Sequence, residues 1–220
     1  MRLAIGDIHG TKYWKRYLNE DFSEFYFLGD YFDSPDIAFF DQYRNFIEIC
    51  KAARQDPRIK LCIGNHDYHY LAQVRDQRYS GFQYQHWPEI SRKLEENIDL
   101  LKVLYITPDH YIISHAGLSA SFMKKMNGFG LTRIEDINDA FAKDRNILNF
   151  DGYEIHGDDV TQSPIWIRPR SLCSDPVAGY SQIVGHTPQQ KIWEVSLPDS
   201  PTAAKVIFIN TGPVDLIYRF

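Results

Sequence analysis

The chain has 220 residues, 44% hydrophobic and 15% aromatic, enough to close one sizeable core and too few for two full domains, so a single domain over 1–220 is expected. A net charge of −5 without a basic run disfavours nucleic acid as the main partner without excluding it, and no apolar run reaches the roughly 18 to 20 residues of a bilayer crossing. Cys50, Cys62 and Cys173 are scattered and never form a CxxC pair, which argues against a disulfide frame or a thiolate metal site, and the N-terminal MRLAIGDIHG lacks the zones of a signal peptide; a cytoplasmic protein with no membrane partner is the expectation.

The first apolar run, 3–5, predicts a strand that stops at Gly6-Asp7, with a short aromatic helix over 12–19 after it. A second strand over 24–28 stops at Gly29-Asp30. Residues 37–54 place Phe39, Tyr43, Phe46, Ile47 and Cys50 at the three-and-four spacing of a helix with one buried face, and 59–63 predicts a third strand ending at Gly64-Asn65. Strand, helix, strand, helix, strand is the pattern of a parallel sheet with crossover helices, in which ligands collect at the carboxyl ends of the strands. Further along, helices are expected over 89–101 and 133–148, and strands over 103–106, 111–114, 183–184, 191–195, 206–209 and 216–218, separated by Gly, Pro and Ser turns. The expectation is an α/β fold with two packed mixed sheets flanked by helices.

The strand ends carry the chemistry. Asp7 and His9 come from GDIHG, Asp30 and Asp33 from GDYFDS, and Asn65, His66 and Asp67 from GNHD; His115 in SHAGL and His186 in VGHTP follow later strands. Carboxylate, imidazole and amide oxygen without thiolate form a donor set that suits manganese, iron, zinc or magnesium. The number of donors suits two ions, and a carboxylate such as Asp30 can bridge a pair.

Taken in order, GDIHG, GDYFDS, GNHD, HAGL and GHT resemble the successive motifs of the calcineurin-like metallophosphoesterases, and in particular the phosphoprotein (serine/threonine) phosphatase branch of bacterial or phage type. The resemblance spans Asp7 to His186. It implies a four-layer αββα sandwich, with one divalent cation held by Asp7, His9 and Asp30 and a second by Asp30, Asn65, His115 and His186. Manganese is the first expectation for the pair, with iron, zinc, magnesium or nickel as alternatives. It implies further that a hydroxide bridging the two ions attacks a phosphomonoester, including phosphoserine or phosphothreonine in proteins, that His66 protonates the leaving group, and that Asp33 orients His66. Asn65 and Arg168 are the expected phosphate-binding residues, Arg168 because the segment PIWIR is similar to the family's tryptophan-centred motif and because a guanidinium grips two oxygens at once. The expected partner is a phosphorylated substrate, protein or small molecule.

Two positions depart from that branch. Ser34 follows Asp33 where an arginine is usual, and Asp67 stands where GNHE is usual, as in the superfamily's nucleases and phosphodiesterases. These leave open a phosphodiesterase, nuclease or dinucleoside polyphosphate hydrolase, and beyond the enzymes a binding module without catalysis. Single pieces have plain alternatives: a Gly-Asp pair at a strand end is usually a turn, and a lone histidine after a strand is usually an ordinary polar group. His69, His86 and His110 match no motif and read as ordinary polar residues; His156 with Gly157, Asp158 and Asp159 reads as a solvated loop. The aromatic stretch Tyr68, Tyr70, Tyr79, Phe82, Tyr84 and Trp87 reads first as loop packing and second as a lining for the substrate entrance.

Overall fold

A computed structural model describes residues 1–74, 78–150, 157–197, 203–211 and 217–220. The expected helix over 12–19 is a single 3₁₀ turn, Tyr13–Tyr17, which buries its three aromatic rings. The first three strands, β1 (Arg2–Ile5), β2 (Glu24–Phe27) and β3 (Ile59–Cys62), pair in parallel. Helix α1 (Phe39–Gln55) crosses from β2 to β3 and buries Phe46, Ile49 and Cys50. After the short turn α2 (Asn65–Tyr68) and helix α3 (Trp87–Glu95), strand β4 (Leu101–Lys102) joins the same sheet.

The predicted helix over 89–101 therefore ends earlier than expected, and the predicted strand over 103–106 is split from the residues before it. Val103 is the crossing point: β4 belongs to one sheet and β5 (Leu104–Ile106) to the other. The Asn138 side chain holds this break, accepting from the Val103 amide at 2.8 Å and donating to the Leu104 carbonyl at 2.9 Å. A backbone that leaves one ladder for another needs such a substitute partner.

The second sheet adds β6 (Tyr111–Ser114), β7 (Ser181–Val184), β8 (Trp193–Ser196) and β9 (Lys205–Phe208) in the order β5-β6-β7-β9-β8. Strand β10 (Ile217–Arg219) returns to β1 as an antiparallel edge, giving β10-β1-β2-β3-β4 in the first sheet. Helices α4 (Ala120–Asn127), α5 (Ile137–Lys143) and α6 (Pro169–Ser174) complete the chain order. Neither α4 nor α6 was expected, and the helix expected over 133–148 is α5 flanked by two 3₁₀ turns, Ile134–Asp136 and Arg145–Leu148.

Period-two alternation assigns the faces. Ala4, Tyr26, Leu28 and Cys62 of the first sheet pack with Ile113, Ile183, Ile207 and Ile209 of the second, forming the seam between the sheets. Leu3, Ile5, Phe25 and Phe27 face the other way, in one cluster with Phe46 and Ile49 of α1 and Ile90 and Leu94 of α3. Val184, Val206 and Phe208 pack outward with Leu172 of α6. The result is two mixed sheets between helical layers. Among the described residues no helix is long and apolar enough to cross a membrane.

The carboxyl ends of β1, β2, β3, β6 and β7 open on one edge of the sandwich. At the tips of β2 and β3 the backbones approach so closely that a Cβ on Gly29, whose φ is +102°, would lie 2.5 Å from the Gly64 nitrogen. Asp67 binds the two tips together: its carboxylate accepts from the amides of Asp30 at 2.9 Å, Tyr31 at 2.8 Å and Gly64 at 3.0 Å. It is fully buried. Burial and neighbouring Asp30 push this carboxyl up, while the amides draw it down. Asp67→Ala strands three buried donors, so urea unfolding should show a loss of about 3 kcal/mol or more.

Candidate metal centre and proton donor

The loops that follow the strands hold the side chains in unusual backbone conformations. His9, Asp30, Asp33 and His186 all have positive φ, between 38° and 65°, and among the described non-glycine residues only His110 and Ala203 share that feature. L-residues adopt this region at a cost, and such residues gather where the surrounding structure demands a particular side-chain direction. Here the direction is inward, toward one polar cluster.

His115 and Asn65 define its centre. The His115 Nδ1–H donates to the Leu28 carbonyl at 2.9 Å, which leaves a bare lone pair on Nε2. That nitrogen lies 2.9 Å from Asn65 Oδ1, 3.1 Å from His186 Nδ1 and 3.4 Å from Asp30 Oδ2, while His186 Nδ1 is 2.9 Å from the same Asn65 oxygen. His115 Nε2, Asn65 Oδ1 and Asp30 Oδ2 therefore turn lone pairs toward one place, with His186 Nδ1 beside them. Turning the Asn65 amide over would still leave His115 Nε2 and Asp30 Oδ2 face to face. Spacings near 3 Å are those of neighbouring ligands around a cation with bonds of about 2.1 Å, so these residues fit a divalent metal.

A second donor set adjoins it. His9 donates from Nδ1 to the Phe32 carbonyl at 2.6 Å, freeing Nε2, which lies 3.7 Å from Asp30 Oδ2. A backbone carbonyl thus sets the tautomer of His9 as another does for His115, the arrangement that orients metal-binding imidazoles. Asp7 Oδ1 accepts from the His186 amide at 3.0 Å and Oδ2 from Asn210 Nδ2 at 2.5 Å. Ligand atoms of Asp7, Asp30 and His115 lie within 4.8 Å of one another. Asp30 thus stands between the two sets.

The electrostatics agree with a cationic occupant. Asp7 and Asp30 are each 2% exposed. Burial and the charge of Asp30 push the Asp7 carboxyl up, whereas for Asp30 the opposing burial is outweighed by His115, His66 and His9, which draw it below the ordinary carboxylate range. Burial, His115 and Arg168 push His186 well below the usual imidazole range. Two buried carboxylates this close call for positive charge between them.

His66 stands beside the cluster rather than in it. Its Nδ1 is 2.9 Å from Asp33 Oδ2 and its side chain remains 20% exposed, so Nε2 is left for the substrate side. Burial opposes its charge, but Asp30 and Asp33 outweigh that and raise it to about 9. Asp33 is held down to about 2: burial opposes, and the contacts with His66, His69 and Tyr70 prevail. Because the folded carboxyl is more acidic than the unfolded one near 3.8, its stabilisation of about 2 kcal/mol is complete above pH 4 and is lost as pH falls toward 2. Unfolding free energies measured between pH 5 and 2 should fall less steeply in Asp33→Asn than in the parent chain.

Arg168 lies half-buried at the edge of the same opening. Its Nη1 donates to Thr187 Oγ1 at 3.2 Å, its guanidinium lies 5.8 Å from the Trp166 ring centre, and Asp30 and Asp158 are within electrostatic reach. All the residues expected from the sequence are therefore gathered on one edge. Ser34, in contrast, turns its hydroxyl to the amides of Asp36 and Ile37 at 3.3 and 3.2 Å, closing the turn before α1.

Several readings change. Asp67 serves as the latch described above, its carboxylate taken up by backbone amides. His69 is not an ordinary polar residue: it is fully buried, with Nε2 2.7 Å from Asp33 Oδ2. Asn210, against Asp7, follows the apolar run of β9 without the glycine that marks the recognised motifs. Tyr70 and Gln83 reach Asp33 Oδ1 at 2.5 and 3.2 Å. His86 stacks on Phe39 with ring centres 3.7 Å apart, and His110 turns the chain between β5 and β6. In the 157–159 loop Gly157 is buried and Asp158 accepts from the Ser171 hydroxyl at 2.7 Å, so it is not simply solvated; His156 lies outside the described residues. The aromatic stretch mainly packs the loop inward: Tyr68 and Tyr70 are fully buried, while Tyr84 is exposed.

Comparison with known proteins agrees with this architecture. The family model described as calcineurin-like phosphoesterase matches residues 2–217. No curated protein sequence is a significant match. Among solved structures, a cold-active protein-tyrosine phosphatase of the psychrophile Shewanella sp. is similar with a TM-score of 0.57 and 15% identity, over 96% of this chain and 71% of that one. A protein serine/threonine phosphatase from Saccharomyces cerevisiae is similar with a TM-score of 0.55 and 12% identity, over 94% of this chain and 66% of that one.

Proposed function

The chain belongs to the calcineurin-like phosphoesterases, metal-dependent hydrolases of phosphoric esters, and we propose that within that family it acts on phosphomonoesters, with phosphorylated proteins or small molecules as substrates. The observation that carries this is the convergence of His115 Nε2, His186 Nδ1, Asn65 Oδ1 and Asp30 Oδ2 beside a separate proton-bearing histidine. The family's two divalent cations, when bound, would activate water and neutralise charge on the phosphoryl group. Asp7, His9 and Asp30 would hold one, and Asp30, Asn65, His115 and His186 the other; manganese is our choice for both.

The remaining residues act directly. Arg168 and the Asn65 amide bind phosphate oxygens, Arg168 being steadied by Thr187 and Trp166. His66 keeps its proton on Nε2 and passes it to the leaving oxygen as the ester P–O bond breaks, so that a neutral alcohol departs. Asp33 holds the ring through Nδ1 and favours its charged form. The two similar structures are those of a tyrosine and a serine/threonine phosphatase, which supports a monoester preference without choosing between the residues.

A second reading has one observation behind it. With the Ser34 hydroxyl committed to its own turn, the position after Asp33 offers no cation to a doubly charged monoester. A singly charged diester, or an anhydride, needs less. Rates on 4-nitrophenyl phosphate, bis(4-nitrophenyl) phosphate and a dinucleoside polyphosphate, each with manganese, separate the readings. The monoester should be fastest; faster diester cleavage would replace the proposal with the second reading.

A further inference from the structure

Asp33 is gripped by more groups than the orientation of one histidine requires. Its Oδ2 faces His66 Nδ1 at 2.9 Å and His69 Nε2 at 2.7 Å, and its Oδ1 accepts from the Tyr70 hydroxyl at 2.5 Å and Gln83 Nε2 at 3.2 Å. His69 is enclosed by aromatic rings, with Tyr70, Phe82 and Tyr79 centred 4.4, 4.9 and 5.2 Å away. The Tyr79 amide donates to His69 Nδ1 at 3.3 Å, which puts the imidazole proton on Nε2. That proton faces a carboxylate oxygen. The contact is bent, since Nε2 makes no hydrogen bond of regular geometry, and Asp33 is the polar group it meets.

This tautomer distinguishes the group from a metal site. Asp33, His66 and His69 are close enough to surround an ion, but a protonated Nε2 offers no lone pair. The burial of His69 lowers its affinity for a further proton, consistent with a neutral donor.

We propose that His69 is a positioning residue for proton donation: it fixes the plane of the Asp33 carboxylate so that Oδ2 points at His66 Nδ1, and thereby aims His66 Nε2 at the leaving oxygen. Two imidazoles on one oxygen, with Tyr70 and Gln83 on the other, leave the carboxylate no rotation that keeps all its partners. The proposal rests on His66 being the proton donor.

The test compares substrates that differ in their need for an acid. An alkyl monoester such as a phosphoserine peptide departs as a strongly basic alkoxide, whereas 4-nitrophenyl phosphate departs as a stable phenolate and depends much less on protonation. With the manganese-loaded enzyme, His69→Phe retains the ring in its aromatic box and removes the donor. The ratio of alkyl to aryl kcat should fall about tenfold, in the direction of His66→Ala, and His69→Gln, whose amide replaces the Nε2 donor, should restore most of it. Equal losses on both substrates, or none, while His66→Ala shifts the ratio, would overturn the role of His69 and leave the proposed function standing. If His66→Ala does not shift the ratio either, the proton-donor reading itself fails and the inference with it. A measurement on the unaltered protein guards against a variant that does not fold: ¹⁵N spectra should place the His69 proton on Nε2, and an Nδ1–H tautomer would refute the proposal.

Discussion

Replacing Asp30 by asparagine should lower the manganese content of the protein at both positions and reduce phosphatase turnover by about a thousandfold or more. Asp30 Oδ2 is the atom that faces both donor sets, 3.7 Å from His9 Nε2 and 3.4 Å from His115 Nε2. An amide has the same shape but no charge, so neither ion keeps its shared anionic ligand. The fold should survive, because Asp30 Oδ1 accepts the His66 amide at 2.9 Å and an asparagine oxygen can do the same. Without metal the variant loses the attraction of His115, His66 and His9 for the Asp30 charge while Asp7 is relieved of a like charge, so its unfolding temperature should lie close to the parent's. Metal analysis and thermal unfolding in chelator check both halves; a variant that retains two ions would show that Asp30 does not join them.

His66→Ala should have the opposite profile: two ions retained and kcat reduced about a hundredfold to a thousandfold, with the larger loss on alkyl esters. His66 contributes no atom to the cluster, and its ring is turned to Asp33 at 2.9 Å. The pH profile gives a second reading. Asp33 favours the charged form of the donor, which gives up its proton as pH rises, so parent activity should decline on the alkaline side and the variant should lack that limb. Metal loss in the variant would instead make His66 part of the centre.

The parts legible in the sequence share one cause. An apolar run that stops at Gly-Asp or Gly-Asn announces both a buried strand and the turn at its tip, so β1, β2, β3 and the donors Asp7, Asp30 and Asn65 were readable together. Boundaries failed where side chains override local pattern. The chain from 89 to 106 carries apolar residues throughout, and the side chain that takes up the backbone at the Val103 crossing, Asn138, is distant in sequence. Helices α4 and α6 are eight and six residues long, too short for periodicity to show.

The site was legible where a motif carried it and silent where a residue acts through another. Asp67 reads as part of GNHD, yet nothing in four letters says that its carboxylate collects three backbone amides. Ser34 reads as a missing arginine, whereas its hydroxyl has a structural task in the turn before α1. His69 and Asn210 touch the machinery from behind, and their partners Asp33 and Asp7 lie 36 and 203 residues away in the chain. Such contacts come from the closure of the fold, which local spacing does not encode.

Anomalous diffraction from a crystal grown with manganese tests the central claim most directly. Two peaks about 3.5 to 4 Å apart should appear, with Asp30 between them, His9 and Asp7 on one and Asn65, His115 and His186 on the other, and with His66 in contact with neither. No peak, a single peak, or a pair bound by other residues would contradict it.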